Sequence, residues 1–387
     1  MVGGGYGDLP VSQTSRSRPK PYTTAAPRPG TPAVDAPPET RRVVAIQPKT
    51  LLGEVDANLA RIEDLVDNAC REHSPDIVFV PESMTTPNLY HRSMRAAARP
   101  VDGAPYQMLQ RLARRHGCMV GGGYIALRGR DTRGTYCLME PDGTAHFHDK
   151  DEPSMWENNY YSGGSDDGVV QTALGPIGLA CGWEYGRVRT VNRLAGRVRL
   201  LGGGMFFAGY PTWKATAPYF RKREQELMLQ YARETPPRIA RMLGVAVVHP
   251  SHVGDYAMDT MLVPGLSWKS DIAGETQICE RDGRTLARLS YADGEGYIAA
   301  DVTLAAPTPI DPTPDTFWNA SFPISAHLVW YLGKAQGRTK YEAMKRLRLH
   351  RWQRWPATDL PNRVDVSSPA PAAPRPAPSG TRPAPGG

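Results

Sequence analysis

The chain has no apolar run of 18 or more residues, so no segment is long enough to span a bilayer as a helix. Cysteine is scarce, with five residues at 70, 118, 137, 181 and 279 and no C-x-x-C pair. That count argues against a zinc site or a disulfide frame, and for reduced thiols in a cytoplasmic protein. There is no glycine fingerprint of a dinucleotide-binding fold. Neither glycine triplet, Gly121–Gly123 or Gly202–Gly204, ends in the Lys-Ser or Lys-Thr of a phosphate loop. The start, Met1-Val2-Gly3-Gly4-Gly5, lacks the apolar core of a signal peptide and has no Gly at position 2, so neither a secretory leader nor acylation is expected. Apolar residues at 40% and charged residues at 22% exclude collagen, coiled coil and wholly disordered classes.

Proline is plentiful but unevenly placed: 16 of the 37 prolines lie in residues 1–40 and 361–387. Those ends are otherwise rich in Ala, Gly, Ser and Thr, and bury too little apolar surface to offset the entropy of ordering. Both are expected to be disordered tails. The net charge of +7 is also local, because Tyr331–Trp355 carries eight Lys or Arg against Glu342 alone, while residues 41–330 sum to −2. Tyr341, Met344 and Leu347 make one face of a basic helix in that stretch. The charges read as the solvated side of a C-terminal helix that packs on the body or on a neighbouring subunit. With no nucleic-acid motif beside it, neither a nucleic acid nor a membrane surface is an expected partner.

Between the tails, apolar periodicity switches repeatedly between 2 and 3.6. Val43–Ile46 reads as a strand, and Val55, Leu59, Ile62 and Val66 as one face of a helix. Asp76–Glu82 is a strand stopped by a proline and a carboxylate. Tyr106–His116 is helical, and Cys118–Leu127, Tyr136–Glu140 and Gly175–Cys181 are strands. A short helix precedes the strand around Val198–Leu201. Phe220–Leu243 is helical material interrupted at Pro236-Pro237, Val245–His249 is a strand, and residues 261–302 read as hairpins, one of them turning at Gly265-Leu266-Ser267. Strands that alternate with helices early and run as hairpins late predict α/β sheets covered by helices.

Three reactive residue types sit at apolar strand ends or in a strongly polar loop. They are Glu82 after Val78-Phe79-Val80-Pro81, Lys150 within His146–Glu152, and Cys181 after Gly178-Leu179-Ala180. Strand ends in α/β sheets are where side chains from distant parts of a chain converge. A carboxylate can take the thiol proton, the thiolate can attack an electrophilic carbon, and an ammonium can hold the anion that develops. Taken singly, each has an ordinary alternative: a small buried thiol for Cys181, a solvated ion pair for Lys150, a surface carboxylate for Glu82. His146 and His148, two residues apart on one strand face, have no third partner in view, so no metal is expected there.

The order and spacing of these motifs resemble the nitrilase superfamily of carbon–nitrogen hydrolases. The carrying residues are Phe79-Val80-Pro81-Glu82-Ser83, Asp149-Lys150, and Leu179-Ala180-Cys181-Gly182-Trp183-Glu184, with 68 residues from Glu82 to Lys150 and 31 from Lys150 to Cys181. Trp156-Glu157 followed by Gly163-Gly164 fits a second family glutamate, for which Glu152 is a nearby competitor. The resemblance extends over Val43–Leu304 and implies a four-layer α-β-β-α sandwich, assembled as a homo-oligomer through helices flanking the cysteine, and a cysteine hydrolase that needs no metal or organic cofactor. It implies that Glu82 is the base, Cys181 the nucleophile, Lys150 and the Gly182 N–H the oxyanion partners, and Glu157 the group that orients Lys150 or water. The family cysteine is commonly followed directly by an aromatic and an acidic residue. Here Gly182 intervenes, and a period of 2 would then turn Trp183 and Glu184 to the opposite face. Trp183, Glu184, Phe206 and Tyr210, with Trp213, are candidates for a substrate pocket.

The expected organisation is therefore a tail over 1–40, a hydrolase domain over 41–304, an extension with a basic amphipathic helix over 305–360, and a tail over 361–387. The expected activity is hydrolysis of an amide or carbamoyl compound through a thioester, with a nitrile as alternative substrate. Acyl transfer to an amine would use the same residues, and a non-catalytic oligomeric scaffold that binds through the basic segment is the alternative of another class.

Overall fold

The computed structural model describes residues 32–128, 130–207, 218–259, 267–315 and 324–350. The first part of the chain runs β1 (Glu39–Gln47), α1 (Val55–His73), β2 (Ile77–Phe79), β3 (Arg99–Pro100), α2 (Ala104–His116), β4 (Met119–Arg128), β5 (Asp131–Met139) and β6 (Ala145–Asp149). The second runs β7 (Val169–Thr172), β8 (Gly175–Cys181), α3 (Val188–Leu194), β9 (Leu200–Gly204), α4 (Pro218–Leu243), β10 (Ala246–His249), β11 (Val253–Asp259), β12 (Ser267–Cys279), β13 (Thr285–Ser290), β14 (Gly296–Leu304) and α5 (Ile324–Arg346). Among the described residues they form two sheets, ordered β14-β1-β2-β4-β5-β6 with β3 beside β4, and β11-β12-β10-β9-β8-β7 with β13 beside β12.

Alternation along β1 shows how the layers arise. Val44 and Ile46 face the helices, packing with Val55, Leu59, Ile62 and Val66 of α1 and Leu109 and Leu112 of α2. Val43 and Ala45 face the second sheet, where Phe79, Leu179, Ile177, Ala246 and Val248 meet. Leu201 and Val247, on the far side of that sheet, pack under Val191 of α3 and Ile239 and Leu243 of α4. Helix, sheet, sheet and helix therefore stack in four layers. Each fully buried Val, Ile or Leu contributes about 1.5–3 kcal/mol of burial free energy.

Four expectations are corrected by the structure. The stretch His146–Asp149 is not a polar loop but most of β6, with Tyr136 opposite His148 and Thr135 opposite Asp149. Its charges are buried in ion pairs, which removes the hydropathic alternation that marks a strand. Helix α4 runs unbroken through Pro236 and Pro237. Those prolines leave the carbonyls of Ala232 and Arg233 without an N–H, and the Gln277 side-chain amide of β12 supplies donors to both, at 3.3 and 3.2 Å. Strand β1 begins at Glu39, before the boundary at 41, and Arg199 also holds the Pro37 carbonyl at 2.7 Å. In α5, Tyr341 is buried but Leu347 is exposed, because the helix ends at Arg346. The remaining expectations for residues 1–31, Gly265-Leu266 and 351–387 fall outside the described residues.

Helix α5 lies against this chain's own body. Tyr341 bonds Thr132 Oγ1 at 2.8 Å and the Asp131 carboxylate, and Lys334 pairs with Glu152. Among the described residues, no helix is long and apolar enough to cross a membrane.

Candidate active site

Glu82 stands just beyond β2, in a turn stitched to β4 by Val80 N–H to Gly121 O at 2.8 Å, Gly123 N–H to Pro81 O at 3.2 Å and Met84 N–H to Gly123 O at 2.8 Å. The glycine triplet is what admits this turn. A Cβ on Gly123 would stand 2.6 Å from Glu82 Cα. Behind the turn, His252 Nε2 lies 2.6 Å from the Glu82 carbonyl, and Thr50 Oγ1 lies 3.2 Å from Nδ1. Burial pushes His252 down to about 4, so a neutral ring donates Nε2–H to that carbonyl.

Lys150 follows β6. Its N–H bonds Gly134 O at 2.8 Å, and its carbonyl accepts Gly164 N–H at 2.7 Å. The ammonium sits between two carboxylates, 3.0 Å from Glu82 Oε2 and 2.8 Å from Glu157 Oε1, with all three side chains almost wholly buried. Glu157 lies in a short helical turn, Met155–Asn159, where it also takes the Asn88 side-chain amide and the Ser154 N–H. Glu152, the competitor, instead pairs with Arg187 at 2.6 Å and with Lys334.

Cys181 ends β8, and residues 182–186 form a tight helical turn. Gly182 has φ +57°, and a Cβ there would stand 2.7 Å from Lys150 Nζ and closer still to Glu82 Oε1. The residue between cysteine and tryptophan must therefore be glycine, because its α-carbon is the surface on which the acid–lysine cluster rests. Since the strand stops at Cys181, the period-2 argument does not apply to Trp183 and Glu184. Trp183 stacks on Tyr231 with ring centroids 5.1 Å apart and meets Trp330 of α5 edge-on, inside the core between sheet and helices. Glu184 is fully buried and accepts the Cys181 N–H at 2.7 Å. Phe206 contributes its backbone N–H, 3.1 Å from Glu82 Oε1, while its ring packs on His252 and Tyr256. Tyr210 and Trp213 lie outside the described residues.

Electrostatics distinguish the members of this cluster. Burial raises Glu82 and the Lys150 ammonium lowers it, but the second carboxylate at Glu157 raises it again, leaving it at about 7. Burial disfavours the Lys150 charge, yet Glu157 and Glu82 hold it well above the ordinary lysine value. Burial and the neighbouring carboxylates push the Cys181 thiol well up, so it rests protonated. A protonated thiol thus shares its surroundings with a carboxylate poised near neutrality and a permanent cation.

The sequence does not single out Asn88, Asp166, Arg193 or His252; only the Gly121–Gly123 triplet and the two histidines hint at them. His146 pairs with Glu140 at 2.5 Å, and His148 lies between Asp166 at 2.5 Å and Glu184 at 2.8 Å. Among the described residues, no group of three or more His, Cys, Asp or Glu is placed to hold a metal ion.

Residues 42–197 match the family model described as carbon-nitrogen hydrolase. No curated protein matches the chain. Similar solved structures include XC1258 of Xanthomonas campestris, a CN-hydrolase superfamily protein with an arsenic adduct in its active site, at 15% identity and TM-score 0.52, covering 68% of this chain and 90% of that one. Nit3 of Saccharomyces cerevisiae, of branch 10 of the nitrilase superfamily, aligns at 16% identity and TM-score 0.53 over 70% of this chain and 92% of its own. A variant of the amidase from Nesterenkonia sp. AN1, carrying acrylamide added at the active-site cysteine, aligns at 16% identity and TM-score 0.53 over 67% and 92%. These likenesses establish the fold.

Proposed function

We propose that the chain is a carbon–nitrogen hydrolase of the nitrilase superfamily that hydrolyses a small amide or carbamoyl compound through a thioester on Cys181, a reading supported by the family model matched over residues 42–197. The observation that carries this reading is the Lys150 ammonium held at 3.0 and 2.8 Å from Glu82 and Glu157, with Gly182 packed on the same groups.

Glu82 takes the Cys181 proton and the sulfur attacks the carbonyl carbon, forming a C–S bond and a tetrahedral oxyanion. Lys150 Nζ and the Gly182 N–H donate to that oxyanion. Glu82 then returns its proton to the leaving nitrogen as the C–N bond breaks, and ammonia or an amine departs. Water attacks the thioester, giving its proton to Glu82, and the C–S bond breaks to release the acid and restore the thiol. Glu157 keeps Lys150 charged and aimed. A nitrile would enter the same cycle by attack at its carbon. The amide is the preferred class because the similar structures include the amidase from Nesterenkonia sp. AN1, one variant of which is in complex with butyramide. The decayed-scaffold alternative is disfavoured by an intact, buried acid–lysine–thiol set.

The test is ammonia release from a panel of small aliphatic amides, carbamoyl compounds and nitriles, with Cys181→Ala beside wild type. Turnover of an amide that vanishes in the variant supports the reading, and full turnover in Cys181→Ala overturns it.

A further inference from the structure

We propose that Glu184 is a positioning residue whose carboxylate ties the backbone of Cys181 to the backbone after Lys150, setting the spacing between nucleophile and oxyanion partner. This rests on the reading of Cys181 and Lys150 given above.

Four donors from distant segments converge on the two oxygens of this fully buried side chain. Oε2 accepts the Cys181 N–H at 2.7 Å and lies 2.8 Å from His148 Nε2. Oε1 accepts the Asp151 N–H at 3.0 Å and Arg193 Nη2 at 2.8 Å. The same cluster reaches the other side of the lysine. His148 Nδ1 meets Asp166 Oδ1 at 2.5 Å, and Asp166 Oδ2 accepts the Asp149 N–H at 2.8 Å. The peptide N–H groups on both sides of Lys150 and that of Cys181 therefore end on carboxylates joined through one histidine. Arg193 closes the ring by reaching Asp151 at 3.3 Å.

A carboxylate is the one side chain of this size that accepts from four donors without presenting a hydrogen of its own. In Glu184→Gln the amide NH₂ must face two of them, so one of the two backbone anchors is lost whichever way the amide turns. A displacement on the order of 1 Å between reacting groups can cost about 100-fold in rate. The loss falls on steps that need Cys181 and Lys150 together, and spares reactions that need the thiol alone.

The experiment compares two reactions of the full chain: burst acylation by p-nitrophenyl acetate, which forms an oxyanion, and alkylation by iodoacetamide, which does not. In Glu184→Gln, acylation of Cys181 is expected to slow by about 100-fold with a much smaller change in alkylation. Glu140→Gln serves as the structural control. It disturbs another buried carboxylate, bound to His146 and the Ala173 N–H, and should lower the melting temperature with acylation unchanged. Wild-type acylation in Glu184→Gln overturns the proposal, as does an equal fall in both reactions. If that variant does not fold, Arg193→Gln, which removes one of the four donors, must show the same selective loss in weaker form, and unchanged rates there also overturn it. A burst that persists in Cys181→Ala instead overturns the assignment of Cys181.

Discussion

Two buried clusters of carboxylates and cations meet at the turn after Cys181, and they are balanced differently. Around Lys150, two carboxylates share one ammonium, and the shortfall falls on Glu82, which is left at about 7 and able to exchange a proton near neutrality. Around Glu184, two cations, His148 and Arg193, face the one carboxylate. Burial disfavours its ionisation, but Arg193 and His148 hold Glu184 well below the ordinary carboxylate range. Burial likewise opposes the His148 charge, yet Asp166 and Glu184 raise it to about 10. Burial alone does not make a group reactive. A buried cluster short of cations titrates where chemistry needs it, and one whose carboxylate faces two cations stays ionised and holds the backbone.

The harshest way to break this contrast is Lys150→Met, which leaves Glu82 and Glu157 buried without their cation. Stripping one partner from a buried pair typically costs about 3–5 kcal/mol, and losing an oxyanion donor costs about 100- to 1,000-fold in kcat. A denaturant melt and steady-state rates read both effects. A finer probe is the pH profile. Glu82 must be ionised to act as base, so kcat/KM should rise with pH through an apparent pKa near 7 and then level off. Glu157→Gln removes the repelling carboxylate, and the midpoint should move to lower pH with kcat reduced; an unmoved midpoint would assign the titration elsewhere. The smallest effect is on stability in alkali. Because the folded state raises His148, its contribution is full below the ordinary histidine range near 6.5 and is lost as pH rises through about 10. His148→Gln should flatten that part of the melting-temperature curve.

The sequence made the first cluster more legible than the second, for a physical reason. Glu82, Lys150 and Cys181 follow apolar strands, and a reactive residue after a buried run is conspicuous. The structure gathers Glu82, Lys150 and Glu157 and sets Gly182 on them. The partners of Glu184 come from β6, the loop before β7 and α3, with no periodicity to link them, so its contacts with the backbone of Cys181 and Asp151 are not legible in the sequence. The four-layer fold follows from the alternation along β1 and the helical face of Val55–Val66. Strand β6 is hidden because its charges are satisfied by ion pairs, and the continuity of α4 because Gln277, far along the chain, serves the two carbonyls its prolines leave unmatched.

The most direct measurement is to quench the reaction with p-nitrophenyl acetate in the burst phase and locate the acyl group by peptide mass. The account predicts one thioester, on Cys181, formed in wild type and lost on base treatment. An acyl group on any other residue, or an undiminished burst with Cys181 unmodified, would contradict it.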